Sequence, residues 1–214
     1  MINKKIIGAL LISAVALFGA DFKEGVNYKT LDAPIVGVEK GTIVKAFSFT
    51  CPFCYKYDKA VTEKVIKSIP DINFEVWHLK TKGKYGQQGS KLMAVAAARD
   101  LKTGTSIFAK DGLLHEMKFT YYKAYHDKKL RWDGGEDDFY KAGFKILNTN
   151  KEDFLKEVAT PEVQKLLKRW DAAYAIAKIQ GIPAFVVNGK YLLYTQKIKS
   201  RQYMIDLVKY LLAK

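Results

Sequence analysis

The chain has 214 residues, of which 36 are Lys or Arg against 22 Asp or Glu, a formal charge of +14, and 49% are hydrophobic. That balance describes an ordered globular protein with a basic surface, one or two domains long, and sets aside a disordered chain. With no zinc-finger spacing or aromatic RNA-binding signature, a nucleic-acid-binding module is not expected.

The first residues, MINKKIIGALLISAVALFGA, place Lys4 and Lys5 before an apolar run, Ile6 to Phe18, with the small Gly19 and Ala20 after it. This is the pattern of a secretory signal peptide spanning residues 1–20, cleaved after Ala20. Phe18 stands where a small residue is usual, so a retained N-terminal anchor is the alternative. Removing the leader takes two lysines and no acid, which lowers the charge from +14 to +12. Such a charge is either a solvated basic surface or a face that attracts an anionic partner.

After a polar lead-in, Tyr28 to Gly41, the stretch TIVKAFSF (Thr42 to Phe49) is nearly continuously apolar and predicts a strand buried on both faces. It runs into TCPFC, after which Tyr57, Val61, Val65, Ile66 and Ile69 repeat at the helical period until Pro70. Cys51 therefore falls at a helix N-terminus with Pro52 in the first turn, where its missing N–H costs nothing. INFEVWHL (Ile72 to Leu79) predicts a second strand, followed by a Gly- and Lys-rich loop, Lys80 to Lys91, that lacks the order of a phosphate-binding loop. From Ser90 to about Gln180 the pattern is helical, with Thr160 as N-cap and Pro161 as first residue of one long helix. IPAFVV and KYLLY then flank Asn188-Gly189, a hairpin signal, and a last helix after Ser200 carries Met204, Leu207, Val208, Leu211 and Leu212 on one face. Strands, a helical block, then a hairpin and helix predict an α/β sheet domain interrupted by a helical insertion.

The two cysteines form a C-x-x-C. A disulfide there closes so short a loop that it removes little unfolded-chain entropy, so the spacing favours redox chemistry over stapling. Thiol–disulfide exchange needs an attacking thiolate and a second thiol nearby. At a helix start the free N–H groups and the dipole lower the first thiol's pKa, making Cys51 the nucleophile and Cys54 the resolving thiol. Structural zinc wants four ligands, and beyond these cysteines there are only His78, His115 and His126, without ligand spacing. His78 reads as a packed strand residue, His115 and His126 as solvated helical ones. No metal and no cofactor are expected. In GIPAF, Pro183 begins a β run and its peptide bond can be cis; Ile182 then offers backbone groups to an extended substrate, unless the proline merely starts a strand.

The succession of strand, CPFC helix, helical block, GIPAFVVNGKY and C-terminal helix resembles the DsbA-type periplasmic thiol oxidases, thioredoxin folds with a helical insertion. The segments CPFCYKYDKAV, YYKAYHDKK and AKIQGIPAFVVNGKYLLYTQKIKS are most similar to the DsbL branch, dedicated to arylsulfate sulfotransferase. The resemblance implies a thioredoxin-like domain at residues 21–80 and 176–214 around an insertion at 81–175. It implies an exposed nucleophile Cys51, a buried Cys54, a cis Pro183, substrate contact at Ile182, and a site shaped by Pro52 and Phe53. It further implies a periplasmic monomer that oxidises exported cysteine-containing proteins and is reoxidised by a DsbB/DsbI-type membrane quinone reductase. A disulfide isomerase or reductase, or a basic binding module with a structural disulfide, are the alternatives.

Two positions depart from the commonest family pattern. Phe53 stands where a histidine helps hold the thiolate, and Lys45 stands six residues before Cys51, where a buried acid is usual. Lys45 either lowers the thiol pKa values from within or turns out to the surface. Lys80, Lys82, Lys84 and Lys197 are candidates for a partner-binding surface.

Overall fold

The computed structural model describes residues 22–214; the expected leader lies outside them. Five strands form one mixed sheet in the order β1-β5-β4-β2-β3. The central strand β2 (Thr42–Phe47) is buried along its whole length, as its apolar run predicts, and lies parallel to β3 (Asn73–His78). On its other side it pairs antiparallel with β4 (Ala184–Val187), which pairs antiparallel with β5 (Tyr191–Leu193). Asn188 and Gly189 join them with φ of 55° and 64°, the left-handed pair of a tight hairpin turn. The edge strand β1 (Tyr28–Thr30) was hidden in the polar lead-in; it pairs antiparallel with β5, and Tyr28 meets Tyr191 edge to face at 5.9 Å.

The helix after the C-x-x-C is two helices, α1 (Pro52–Ala60) and α2 (Thr62–Lys67), broken at Val61, with φ −122° and ψ −56°. The break turns the Thr62 side chain to Lys45 and sets Val65 and Ile66 against Met204 and Leu207 of the C-terminal α9 (Arg201–Ala213), which Ser200 caps. Burial of each such aliphatic side chain contributes about 1.5–3 kcal/mol.

Between β3 and β4 come α3 (Gly86–Thr103), α4 (Leu113–Tyr122), α5 (Glu136–Leu147), α6 (Lys151–Val158), α7 (Pro161–Trp170) and α8 (Ala172–Gln180). Helix α3 begins inside the expected Gly/Lys loop, because its glycines serve close packing rather than mobility. A Cβ on Gly86 would stand 2.3 Å from the Lys80 carbonyl oxygen, and one on Gly89 2.6 Å from the Phe49 ring. The long helix expected from Thr160 to Gln180 is divided at Asp171 into α7 and α8, and Thr160 is no side-chain N-cap. Its hydroxyl instead donates to Glu157 O at 2.7 Å, closing α6. The chain is an α/β thioredoxin fold with a helical insertion. One apolar core runs from β2 and β3 through the insertion helices, including Phe47, Trp77, Leu92, Tyr121 and Phe139.

Candidate active site

The end of β2 delivers the chain through Ser48–Thr50 to Cys51, which is the N-cap of α1. Its sulfur accepts from the Cys54 N–H at 3.2 Å, satisfying one of the donors a helix start leaves free. On its other side the thiol donates to the Ile182 carbonyl at 3.3 Å, and the Ile182-Pro183 peptide is cis. Thus two stretches 131 residues apart in sequence meet at one sulfur. Cys51 is only 3% exposed, more enclosed than the resemblance implies, because Ile182 closes over it. Pro52 and Phe53 are exposed beside it, with Lys56 Nζ 5.9 Å from the Phe53 ring centre. Both cysteines are free thiols.

The two sulfurs differ electrostatically. A hydrogen bond from the Cys54 side chain, the Cys54 and Phe53 amides and the nearby Lys82 outweigh burial and lower the Cys51 pKa to about 7. Burial, and then Cys51 itself, push Cys54 well above the usual thiol range, with Lys45 pulling the other way. The pair can therefore hold one thiolate, on Cys51, at neutral pH.

Lys45 does not reach the surface. It is fully buried, pairs with Asp58 and donates to Thr62 Oγ1 at 3.2 Å, and its electrostatic influence falls on Cys54. Lys80 is bound to Asp171 at 2.6 Å, Lys84 lies 5.1 Å from the Tyr85 ring centre, and Lys197 is exposed in a short 3-10 turn. A cavity lined by residues such as Phe74, Phe108 and Trp170 touches neither cysteine.

Two histidines hold the backbone just before Cys51. The Phe49 N–H donates to His78 Nε2 at 3.4 Å, so Nδ1 carries the proton toward Ser90 Oγ at 2.7 Å; the Phe49 ring stacks on the imidazole. Burial lowers the His78 pKa to about 3 and keeps it neutral. His126 is not solvated as expected: Nε2 donates to the Phe49 carbonyl at 3.0 Å, and the ring stacks on Tyr55. It is carried there by a wider π-helical turn, Lys123–Asp127, that prolongs α4 and also lets Asp127 accept from the Tyr55 hydroxyl at 2.8 Å. His115 is half-buried against Phe119. Sequence periodicity carries no signal for these contacts, since each joins residues far apart in the chain.

A helix-capping cysteine with its partner one turn inside, closed over by the residue before a cis proline on a thioredoxin sheet, defines a thiol:disulfide oxidoreductase. Residues 42–205 match the DSBA-like thioredoxin domain family. The chain is 47% identical over 204 residues to the thiol:disulfide interchange protein DsbL of Escherichia coli O6:H1, covering 94% of this chain and 91% of that one. The crystal structure of Salmonella enterica serovar Typhimurium DsbL superposes with a TM-score of 0.85 at 47% identity, over 91% of this chain and 99% of that one. DsbA of Dickeya dadantii is 27% identical over 95% of this chain and 94% of its own length. The chain belongs to the DsbA-like thioredoxin family, with DsbL as the more similar of these relatives.

Proposed function

We propose that this protein is a periplasmic dithiol oxidase that donates the Cys51–Cys54 disulfide to exported proteins. The observation that carries the reading is the asymmetry of the pair: Cys51 favours the thiolate while Cys54 is enclosed and held as a thiol. A substrate thiolate attacks Cys51 Sγ, a new S–S bond forms, and the Cys51–Cys54 bond breaks with its electron pair on Cys54. A second substrate thiolate then attacks the substrate sulfur of the mixed disulfide and expels Cys51 as thiolate. The substrate loses two electrons and the enzyme gains them. A stabilised Cys51 thiolate makes both its departure and the reduced enzyme favourable, which pushes disulfides outward.

Ile182 presents backbone groups beside Cys51, where an extended substrate segment would lie. Exposed lysines near the site, Lys56 and Lys82, suit a substrate with an anionic surface. The DsbL similarity supports arylsulfate sulfotransferase as one substrate and a DsbB/DsbI-type membrane quinone reductase as the reoxidant. The test mixes oxidised protein with reduced sulfotransferase and follows both by thiol alkylation. One disulfide should appear in the substrate for each lost here. An enzyme disulfide that stays intact beside a reduced substrate would overturn the reading, as would efficient reshuffling of a scrambled substrate.

A further inference from the structure

Between β2 and α1 the chain leaves the sheet, and its backbone groups need partners from elsewhere. Ser48 supplies two: its carbonyl accepts from the Cys51 N–H at 3.0 Å and its hydroxyl oxygen from the Thr50 N–H at 3.2 Å. The Phe49 N–H donates to His78 of β3 at 3.4 Å, and the Phe49 carbonyl accepts from His126 of the helical insertion at 3.0 Å. The nucleophile follows two residues further on.

His126 belongs to the π turn Lys123–Asp127, in which the Lys128 N–H reaches back to the Lys123 carbonyl at 3.0 Å. Such turns recur at functional sites. From this one turn two consecutive side chains grip the redox site: His126 the Phe49 carbonyl, and Asp127 the hydroxyl of Tyr55, the residue after Cys54. The Tyr55 ring also stacks on two others, its centre 5.6 Å from that of His126 and 5.0 Å from that of Tyr122. The insertion thus holds the chain on both sides of the C-x-x-C, at Phe49 before it and at Tyr55 after it.

This clasp matters unequally in the two redox states. In the disulfide, a covalent bond ties Cys51 to α1. In the dithiol that tie is gone, and Cys51 Sγ keeps its capping place, 3.2 Å from the Cys54 N–H, only while the turn that carries it is held. That place at the helix start is what stabilises the thiolate. We propose that His126 is a positioning residue for the nucleophile: by holding the Phe49 carbonyl it keeps the Cys51 turn in place in the reduced protein, and so makes the disulfide more oxidising. The inference deepens the donor reading and rests on it. Nε2 donates in the imidazolium as it does in the imidazole protonated there, so the clasp requires a hydrogen bond and no charge. Without that donor, the carbonyl of a residue only 1% exposed loses its partner.

The test uses the whole protein, with His126→Phe to keep a ring and remove the donor, and His126→Gln to set an amide nitrogen in the place of Nε2. The reduction potential against glutathione, the pH midpoint of Cys51 alkylation and the urea midpoints of both redox forms are read. His126→Phe should shift the glutathione equilibrium about tenfold toward the disulfide, a potential lower by about 30 mV. Its alkylation midpoint should rise by about one pH unit, the same tenfold in ionisation. The reduced form should lose more stability than the oxidised form, and His126→Gln should keep the wild-type values. If His126→Phe does not fold, His126→Leu carries the same expectation. A donor-free variant with wild-type potential, or one weakened equally in both redox forms, marks a merely structural contact and would overturn the inference. A His126→Gln protein that behaves as His126→Phe would do the same, and each of these results leaves the donor reading standing. Wild-type protein that transfers no disulfide to a reduced dithiol would overturn that reading and, with it, this role in donation.

Discussion

At the scale of single residues, the placement of the cysteine pair at a helix start was legible in the sequence, because C-x-x-C there brings both sulfurs together by covalent spacing alone. The surroundings of the pair were not. Phe53, in the place of the usual histidine, is 62% exposed and leaves thiolate stabilisation to backbone amides, the neighbouring thiol and Lys82. His78 and His126 read as bland because their common partner, the Phe49 backbone, is 29 and 77 residues away. Lys45 took the inward of its two alternatives, drawing down the pKa of Cys54 rather than Cys51, but its pairing with Asp58 was not legible, since only the fold brings the two together. The Cys51 shift has a definite sign. Its pKa falls from 9.0 to about 7 on folding, so its contribution to the stability of the reduced protein is complete above about pH 9 and is lost as pH falls through 7. The raised pKa of Cys54 works the opposite way, keeping its contribution below pH 9 and losing it only above. Alkylation of reduced protein by iodoacetamide should therefore modify Cys51 with a midpoint near pH 7 while Cys54 stays protected. A midpoint near 9 would show that the helix start does not stabilise the thiolate.

At the scale of elements, strands and helices with long apolar patterns were legible, and the misreadings share one physical origin. Short or Gly-containing segments take their structure from tertiary contact, as β1 does from β5 and the start of α3 from Phe49 and Lys80. Continuous helical periodicity likewise says nothing of a one-residue break, as at Val61 and Asp171. Gly89 offers the sharpest check. An alanine there would bring a methyl to 2.6 Å from the Phe49 ring and 3.4 Å from the His78 ring. Those rings form the floor of the turn into Cys51, and neither is the loose end of a flexible chain. Gly89→Ala should lower the unfolding free energy by about 1–3 kcal/mol, the usual cost of overpacking, read as a fall in urea midpoint at unchanged slope. An unchanged midpoint would mean that α3 does not pack on the active-site turn as described.

At the scale of the whole molecule, the α/β order of the sequence carried the architecture, because buried strands flanking a helical block can share one sheet only if that block is inserted. What order could not carry is the route by which Ile182 reaches Cys51: β4 must lie beside β2 for the two to meet, and no local pattern encodes strand order. The surplus of lysines was legible as composition, yet its distribution was not, since some lysines are bound to acids, such as Lys80, and two are buried. The neighbouring thiol and the amides that stabilise the Cys51 thiolate, with Lys45 partly offsetting burial at Cys54, predict a favoured reduced dithiol and so an oxidising disulfide. The equilibrium reduction potential of Cys51–Cys54, titrated against glutathione and read by alkylation, measures that balance directly. A strongly oxidising value, nearer the approximately −120 mV of DsbA than the approximately −270 mV of thioredoxin, is the predicted result. A value in the thioredoxin range would contradict it, and would make the protein a reductant of disulfides rather than their donor.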